Sequence, residues 1–228
     1  MPTVLITGAN RGLGLEFARQ YAGDGWTVFA ACRNRRKARE LRELKADNVT
    51  ILAMDVTDSA SVRNAAQELH GTSIDLLINN AGTAGKRGQR TGSVDYENWL
   101  HVLEVNTLGP MRVVEAFADL VTRSERRLMV TITSEMASLA HNTEGGSIAY
   151  RSAKAAVNMV MRSVAVDLAA RRITCVVVNP GWVKTDMGGA SAPLTPEQSV
   201  SAMRRLFARL GPRDSGKFFN YDGKEHAW

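Results

Sequence analysis

Tyr150 and Lys154 are the residues whose types and spacing most directly suggest chemistry. They are four positions apart, so on a helix both side chains project from one face. A free tyrosine has a pKa near 10 and is a poor acid or base at neutral pH. A unit charge about 4 Å away, at an effective dielectric constant near 20, contributes roughly 4 kcal/mol, or about three pKa units. The pair therefore predicts a tyrosine whose pKa a neighbouring ammonium lowers into the range useful for proton transfer.

A glycine-rich turn with the sequence TGANRGLG, residues 7–14, follows the first apolar run of the chain. Gly8, Gly12 and Gly14 allow a tight turn and let a phosphate-bearing ligand approach the backbone closely. A helix beginning here would present unpaired N–H groups and the positive end of its dipole to a pyrophosphate. The GxxxGxG spacing differs from the usual GxGxxG fingerprint, and taken alone it is equally compatible with a purely structural turn. No Gly-Lys-Ser/Thr follows, which disfavours a nucleoside-triphosphate P-loop.

The elements that must position these residues are predicted from the alternation of apolar runs with helix-like segments. Seven β-rich runs occur at residues 3–7, 27–31, 49–54, 74–78, 128–133, 173–178 and 217–220. Several are continuous, as in strands buried on both faces of a parallel sheet. Helix-like segments lie at residues 13–22, 34–46, 59–69, 96–122, 148–170 and 197–210, the fourth with an expected break at Gly109-Pro110. The pattern predicts one α/β domain over residues 1–228, a doubly wound Rossmann fold.

Composition and charge exclude several classes of protein. The 228 residues are 44% hydrophobic and 23% charged, which disfavours a disordered, collagen-like or coiled-coil chain. The net charge of +6 is compatible with nucleic acid, an acidic membrane surface or a phosphorylated small molecule as partner. Cys32, Cys175 and four scattered histidines have no disulfide-framework or metal-ligand spacing, so no metal is predicted. With no membrane-length apolar run and no signal-peptide pattern, we expect a cytoplasmic protein.

Six motifs in a fixed order resemble the short-chain dehydrogenase/reductase family over essentially the whole chain. They are the glycine turn, Asn79-Asn80-Ala81-Gly82, Asn106, Ser134, the Tyr150/Lys154 pair and Asn179-Pro180-Gly181. Residues 142–146, just before Tyr150, and the ending 218–223 are most similar to sniffer-type carbonyl reductases and bacterial C-factor proteins. The resemblance implies a seven-stranded parallel sheet of order 3-2-1-4-5-6-7. In that order three strands separate the two cysteines, which excludes a disulfide between them.

The resemblance implies an enzyme that transfers hydride from a nicotinamide to an aldehyde or ketone carbonyl. Tyr150 would donate the proton, Ser134 would hydrogen-bond the carbonyl oxygen, and Lys154 would tune Tyr150 and hold the nicotinamide ribose. Asn106 would complete a proton relay through water, although an asparagine beside a helix break can instead satisfy backbone groups. Ser134 lacks the glycine that often follows it in the family and stands 16 positions before Tyr150, a long separation that residues 141–146 account for. Thr133 and Ser138 are alternatives to Ser134.

Cofactor choice is predicted from the end of the second strand, which reads Cys32-Arg33 and has no carboxylate to bind an adenosine ribose. An arginine fork suits a 2′-phosphate, and Arg11 and Arg33 are the expected ligands. Arg35, Lys37 and Arg39 are equally interpretable as a solvated helix face. We therefore expect NADP(H) to be preferred over NAD(H).

The remaining expectations concern the rim of the cofactor site and the partners. The cofactor-binding set implied by the resemblance comprises Gly8, Asn10, Arg11, Gly12, Leu13, Gly14, Arg33, Asp55, Val56, Asn80, Ala81, Gly82, Tyr150, Lys154, Pro180, Gly181, Val183 and Thr185. Asp55 could equally cap a turn, and Asn79 could tie neighbouring strands together. Residues 184–195 are expected to be a loose segment that serves as a substrate lid.

The partners follow from the same reasoning. We expect a small carbonyl or alcohol substrate, no nucleic acid or membrane, and a homodimer formed by the helices that hold Asn106 and Tyr150. Candidates for a mainly apolar substrate pocket are Trp182, Met187, Met136 and the residues around Thr83-Ala84, although methionine and tryptophan at such places equally serve packing. A signalling or regulatory protein, in which NADP binding matters more than turnover, is the alternative to an enzyme.

Overall fold

A seven-stranded, entirely parallel sheet organises the computed structural model, which describes residues 1–44 and 46–228. The strands are β1 (Thr3–Thr7), β2 (Thr27–Cys32), β3 (Val49–Ala53), β4 (Leu76–Asn79), β5 (Leu128–Ile132), β6 (Thr174–Asn179) and β7 (Phe218–Asn220). Their order is β3-β2-β1-β4-β5-β6-β7, which confirms the predicted topology. All residues of β1, β4, β5 and β6 are buried, which explains why these runs are continuously apolar or small.

Helices cover both faces of the sheet. They are α1 (Gly12–Gly23), α2 (Arg39–Glu43), α3 (Ser59–Glu68), α4 (Tyr96–Leu103), α5 (Gly109–Thr122), α6 (Ile148–Asp167) and α7 (Pro196–Arg209). One hydrophobic core contains Phe117 and Val157, and the other contains Phe17 and Phe207, whose rings lie 5.9 Å apart. This is the doubly wound arrangement expected of the alternation. No helix in the described part of the chain is long and apolar enough to cross a membrane.

The predicted helix over residues 34–46 is wrong in its extent. The structure has a 3₁₀ turn at Arg35–Lys37 followed by the short α2, and Lys45 lies outside the described residues. The Asn34 side chain accepts hydrogen bonds from the backbone N–H groups of Arg36 and Lys37, at 2.9 and 3.2 Å. A local side-chain bond of this kind competes with a continuous helix. The basic residues of this segment therefore project from a turn.

The expected break at Gly109-Pro110 is also corrected. The chain stays helical there, and the irregularity lies one turn earlier as a π-helical segment, Glu104–Leu108, in which Gly109 N–H bonds the Glu104 carbonyl. Pro110 has no N–H to donate to the main-chain carbonyl of Asn106, four residues before it. π-Helical turns within α-helices are frequent at functional sites, and this one holds Asn106.

Cys32 and Cys175 are both buried free thiols. They lie in β2 and β6, which are separated by β1, β4 and β5. The expected absence of a disulfide between them follows directly from that distance across the sheet.

Candidate active site

The residues singled out in the sequence meet at the edge of the sheet where the parallel strands end. The glycine turn follows β1, residues 80–82 follow β4, Ser134 follows β5, and Pro180-Gly181 follows β6. Strands β1, β4, β5 and β6 are successive neighbours in the sheet, so these loops lie side by side along one edge, and we call the space they border the groove. Crevices at this position are where open α/β sheets bind their ligands.

The glycine turn leaves the start of α1 open to an anion. Gly8 and Gly12 have positive φ angles of 64° and 55°. Arg11 precedes the helix without a side-chain cap, and no acidic residue occupies the first turn. The first N–H groups of α1 are thus available to an external acceptor. A Cβ at Gly8 would lie 2.8 Å from the Cα of Ala81, so only glycine fits between the two loops.

Thr7, which the sequence analysis did not assign a role, joins β1 to the loop after β4. Its hydroxyl oxygen accepts hydrogen bonds from the backbone N–H groups of Asn80 and Ala81, at 3.0 and 2.9 Å. The Asn80 side chain donates in return to the Thr7 carbonyl at 2.9 Å. Asn80 therefore ties the strands together, while Asn79 reaches Pro110 and Thr131 only at 3.5 Å. The signal available in the sequence was the threonine directly before the first glycine.

Asn106 is 1% exposed, and its side chain is bound to the backbone of Thr83, a residue predicted only as part of a substrate pocket. Its Nδ2 donates to the Thr83 carbonyl and its Oδ1 accepts from the Thr83 N–H, both at 2.8 Å. The side chain thus satisfies backbone groups, which was the alternative to a relay. A Cβ at Gly82 would lie 3.2 Å from Asn106 Oδ1 and 3.7 Å from Lys154 Nζ, so these three residues border the same space.

Tyr150 lies in the first turn of α6, opposite Ser134. Burial raises the pKa of Tyr150, and the nearby Ser134 hydroxyl opposes this rise in part. Ser134 also accepts a hydrogen bond from the N–H of Met136 at 3.2 Å, which orients its side chain. The predicted lowering of the Tyr150 pKa is therefore wrong. Thr133 and Ser138 are directed elsewhere, to the carbonyls of Lys154 and Trp228.

The position of Lys154 explains why its charge does not lower the pKa of Tyr150. Its ammonium group donates to the Ile132 carbonyl at 2.9 Å and lies 6.0 Å from the centre of the Tyr150 ring. The side chain is buried, and this desolvation lowers the pKa of Lys154 to about 8. The two residues share a helix face as predicted, but the lysine is held by the backbone end of β5.

The basic residues after β2 divide into two groups. Arg35 pairs with Glu68 and Arg39 with Glu43, at 2.7 and 2.6 Å, as expected of a solvated face. Arg33 is exposed and forms no ion pair with the residues that the structure describes. Arg11 forms an exposed pair with Asp186 at 2.9 Å. Of the two predicted phosphate ligands, Arg33 has no ion pair with the described residues, and Arg11 has one exposed pair, with Asp186.

Asp55 has a structural role at the end of β3. Its Oδ1 accepts hydrogen bonds from the N–H and the hydroxyl of Thr57, at 3.0 and 2.8 Å. This is the turn-capping role that was the alternative to cofactor binding. Val56, its neighbour, is buried against Gly109.

The segment after β6 is a folded loop. Val183 and Leu194 form a β-bridge, and Lys184 N–H donates to the Leu194 carbonyl at 2.8 Å. Trp182 Nε1 bonds the Gly188 carbonyl at 2.8 Å. These contacts show that residues 184–195 are held at both ends, in place of the loose segment that was expected. The Trp182 ring nevertheless stays 55% exposed at the mouth of the groove.

Comparison with known proteins agrees with this fold. The family model for short chain dehydrogenase matches residues 2–194. The chain therefore belongs to the short-chain dehydrogenase family and is an oxidoreductase.

Particular relatives are similar over most or all of the chain. The carbonyl reductase Sniffer of D. melanogaster superposes with a TM-score of 0.94 at 35% identity, covering 100% of both chains. The NADPH-bound carbonyl reductase from chicken fatty liver gives 0.93 at 34% identity, covering 100% of this chain and 99% of that one. C-signal of Myxococcus xanthus is 44% identical over 155 residues, 68% of this chain and 93% of its own. The resemblance predicted from the motifs is confirmed.

Proposed function

We propose that this protein is an NADPH-dependent reductase of aldehydes or ketones. The observation that carries the proposal is the meeting of Ser134, Tyr150 and the buried Lys154 beside an uncapped helix N-terminus, in one groove at the carboxyl edge of the sheet. Carbonyl reductases among the structural neighbours, including one with NADPH bound, support the same reaction class.

The residues present fit a dinucleotide. The open N–H groups at the start of α1 suit a pyrophosphate, and Gly8 and Gly14 leave the backbone accessible where a Cβ would collide with neighbouring loops. Asn10, Leu13, Asp55 and Val56 would line the adenosine half. Residues 80–82, Pro180, Gly181, Val183 and Thr185 would line the nicotinamide half. The reduced nicotinamide, when bound, supplies a hydride to the substrate carbonyl carbon.

Tyr150 is the proposed proton donor. Its phenol carries the proton that would pass to the carbonyl oxygen of the substrate. Burial raises the pKa of Tyr150 and makes it a weaker acid, so the tyrosinate left after transfer has to be stabilised. Ser134 donates a hydrogen bond to the same oxygen. With a pKa of about 8, Lys154 is largely charged at pH 7, and its positive charge stabilises the tyrosinate left after transfer.

Asn106 is proposed to serve the relay through its main chain. The side chain is occupied by Thr83, whereas its carbonyl receives no hydrogen bond from Pro110, which lacks an N–H. That carbonyl would hold the water through which Lys154 is reprotonated.

We assign the preference for NADP(H) over NAD(H) to Arg11 and Arg33. An exposed pair such as Arg11–Asp186 contributes about 0–1 kcal/mol, so a dianionic 2′-phosphate can replace the carboxylate. Arg33 is exposed at the end of β2, where a ribose-binding carboxylate would favour NAD.

The surroundings of the site are proposals of the same kind. Trp182 and Met187 present exposed apolar surface to a substrate, and residues 184–195 would act as a short lid. Exposed Leu100, Leu108 and Met159 on or beside α4 and α6 would form a homodimer interface. Both cysteines are free thiols, which fits the reducing cytoplasm.

A signalling role is the second candidate, because C-signal is 44% identical over 68% of the chain. In that case NADPH binding would persist while turnover is physiologically secondary.

A panel of aldehydes and ketones assayed with NADPH and NADH in parallel tests the proposal. We expect turnover of several carbonyls and a higher kcat/KM with NADPH. Tight NADPH binding without turnover of any carbonyl would favour the signalling role. Failure to bind either nucleotide would overturn both candidates.

A further inference from the structure

A cluster outside the reductase machinery brings two of the four scattered histidines together. His141, on the loop after β5, and His226, in the segment after β7, have ring centres 5.0 Å apart. Glu135, which directly follows Ser134, completes the group. One ligand atom from each of the three residues lies within 4.8 Å of the other two. Neither sequence spacing nor the reductase chemistry explains this juxtaposition.

We propose that Glu135, His141 and His226 form a binding site for a divalent transition-metal ion of the zinc class. Two imidazole nitrogens and one carboxylate oxygen are a ligand set that zinc uses, with water in the fourth position. Tetrahedral ligands at about 2.1 Å from zinc are about 3.4 Å from one another. Donors that lie within 4.8 Å of one another therefore need to approach by up to roughly 1.4 Å. Glu135, in a 3₁₀ turn, and His141 are exposed side chains that can rotate.

His226 is already oriented as a ligand. Its Nδ1 lies 2.9 Å from the Ala227 carbonyl oxygen, so a proton on Nδ1 is bonded there and Nε2 keeps its lone pair. Backbone contacts that select the tautomer in this way are typical of metal-bound histidines. The ring also stacks on Phe218 of β7 with centres 4.4 Å apart, and the His226 N–H donates to the Phe218 carbonyl at 2.7 Å.

The charges around the cluster do not oppose a cation. Lys224 lines the same cleft, but its ammonium is turned toward Asp222 at 3.6 Å. Glu225 adds a second carboxylate to the cleft, paired loosely with Lys217 at 3.7 Å. A divalent ion would therefore meet a local excess of negative charge, with hard oxygen-preferring ions disfavoured by the two imidazoles.

Metal binding would fasten the segment after β7 to the loop behind Ser134. The two regions already touch through Trp228, whose carbonyl accepts from the Ala140 N–H at 3.0 Å and from the Ser138 hydroxyl at 3.2 Å. Coordination of one ion by all three side chains would add a cross-link at this contact. The proposal is independent of whether the protein turns over a carbonyl.

Calorimetric titration of the untagged, chelator-treated protein with ZnCl₂ tests the site, with MgCl₂ as the hard-ion comparison. We expect one Zn²⁺ per chain and no competition from Mg²⁺. His141→Asn and Glu135→Gln, both at exposed positions, should each raise the Kd for Zn²⁺ by at least about tenfold. His70→Asn, on an exposed histidine after α3, should leave the Kd unchanged.

Hydrogen exchange provides a second readout that does not depend on activity. Zn²⁺ should slow exchange at the Ala140 and His226 amides in the wild-type protein and leave both rates unchanged in His141→Asn. Zn²⁺ affinity that stays within about twofold in both cluster variants, or that falls as much in His70→Asn, would overturn the proposal.

Discussion

The two ends of the cofactor groove are built in different ways. At the catalytic end, Lys154 and Asn106 are buried, and each is held by hydrogen bonds to backbone groups at 2.8–2.9 Å. At the adenosine end, Arg11 and Arg33 are exposed, and the only ion pair between them and the described residues is Arg11–Asp186. One end is fixed by the fold, and the other is a set of charges on the surface.

This difference indicates that reactivity and cofactor choice are separable. Buried groups with fixed partners hold one geometry, and removing one leaves polar groups unsatisfied. Exposed arginines contribute electrostatics that solvent and salt screen, so they can change without disturbing the sheet. Substitutions at the catalytic end should alter turnover or stability, and those at the adenosine end should alter nucleotide affinity.

Tyr150→Phe should give the largest effect. Removing the hydroxyl that donates the proton should lower kcat for carbonyl reduction by about 10²–10⁴-fold. The Kd for NADPH should change by less than about threefold, because the ring and the rest of the groove remain. Steady-state kinetics and fluorescence titration of NADPH measure the two quantities, and unchanged turnover would refute Tyr150 as the acid.

Arg33→Gln should come next. Losing a charge-assisted contact worth about 1.5–3 kcal/mol should raise the KM for NADPH about 10–100-fold, with the KM for NADH little changed. Arg35→Gln is the matched control, since Arg35 is already paired with Glu68. Equal losses in the two variants would show that only general positive charge matters.

Lys154→Met should reveal the buried charge through the pH dependence of stability. The pKa of Lys154 is about 8 in the folded protein and about 10.4 when unfolded, so the unfolded chain binds more protons between these values. The wild-type free energy of unfolding, relative to that of the variant, should rise by up to about 1.4 kcal/mol per pH unit across this window.

The comparison must be made as a difference between the two proteins. Burial raises the pKa values of Cys175 and Tyr21 to about 12, and these groups lower stability at alkaline pH, but they are common to both. Denaturant unfolding at pH 7.5, 9 and 10.5 measures the difference. A difference in the free energy of unfolding that does not change with pH would contradict a lowered pKa for Lys154.

Asp186→Asn should give the smallest effect. Releasing Arg11 from its exposed pair should lower the KM for NADPH by less than about threefold, because such pairs contribute about 0–1 kcal/mol. Glu68→Gln, which frees Arg35, serves as the control and should leave the KM unchanged. A marked loss of NADPH affinity in Asp186→Asn would show that Asp186 positions Arg11 for the cofactor.

The sequence predicted the features that depend on residue type and on the spacing of apolar residues. Continuous apolar runs identified the strands, and the ordered motifs identified the topology and the groove. It did not predict that Lys154 binds the Ile132 carbonyl, 22 residues away in sequence, or that burial dominates the pKa of Tyr150, because both depend on the tertiary packing. The roles of Thr7 and Thr83 were missed for a similar reason: the Thr7 hydroxyl binds backbone groups of a distant segment, and the Thr83 backbone binds the side chain of the distant Asn106.

Local competition accounts for the remaining errors. The Asn34 side chain binds the backbone of its own turn and interrupts the helix that the sequence predicted over residues 34–46. The π-helical segment Glu104–Leu108 precedes Pro110, and the helix continues there without a break. The juxtaposition of His141 with His226 likewise arises only when the segment after β7 folds back on the loop after β5.

NADPH binding to the Tyr150→Phe/Arg33→Gln double variant tests the separation of the two ends most directly. The account predicts that Tyr150→Phe changes the Kd by the same factor, within about twofold, in the wild-type and Arg33→Gln backgrounds, so that the effects of the two substitutions multiply. A Kd that departs from this by more than about fivefold would show that the two ends are coupled, and would contradict the account.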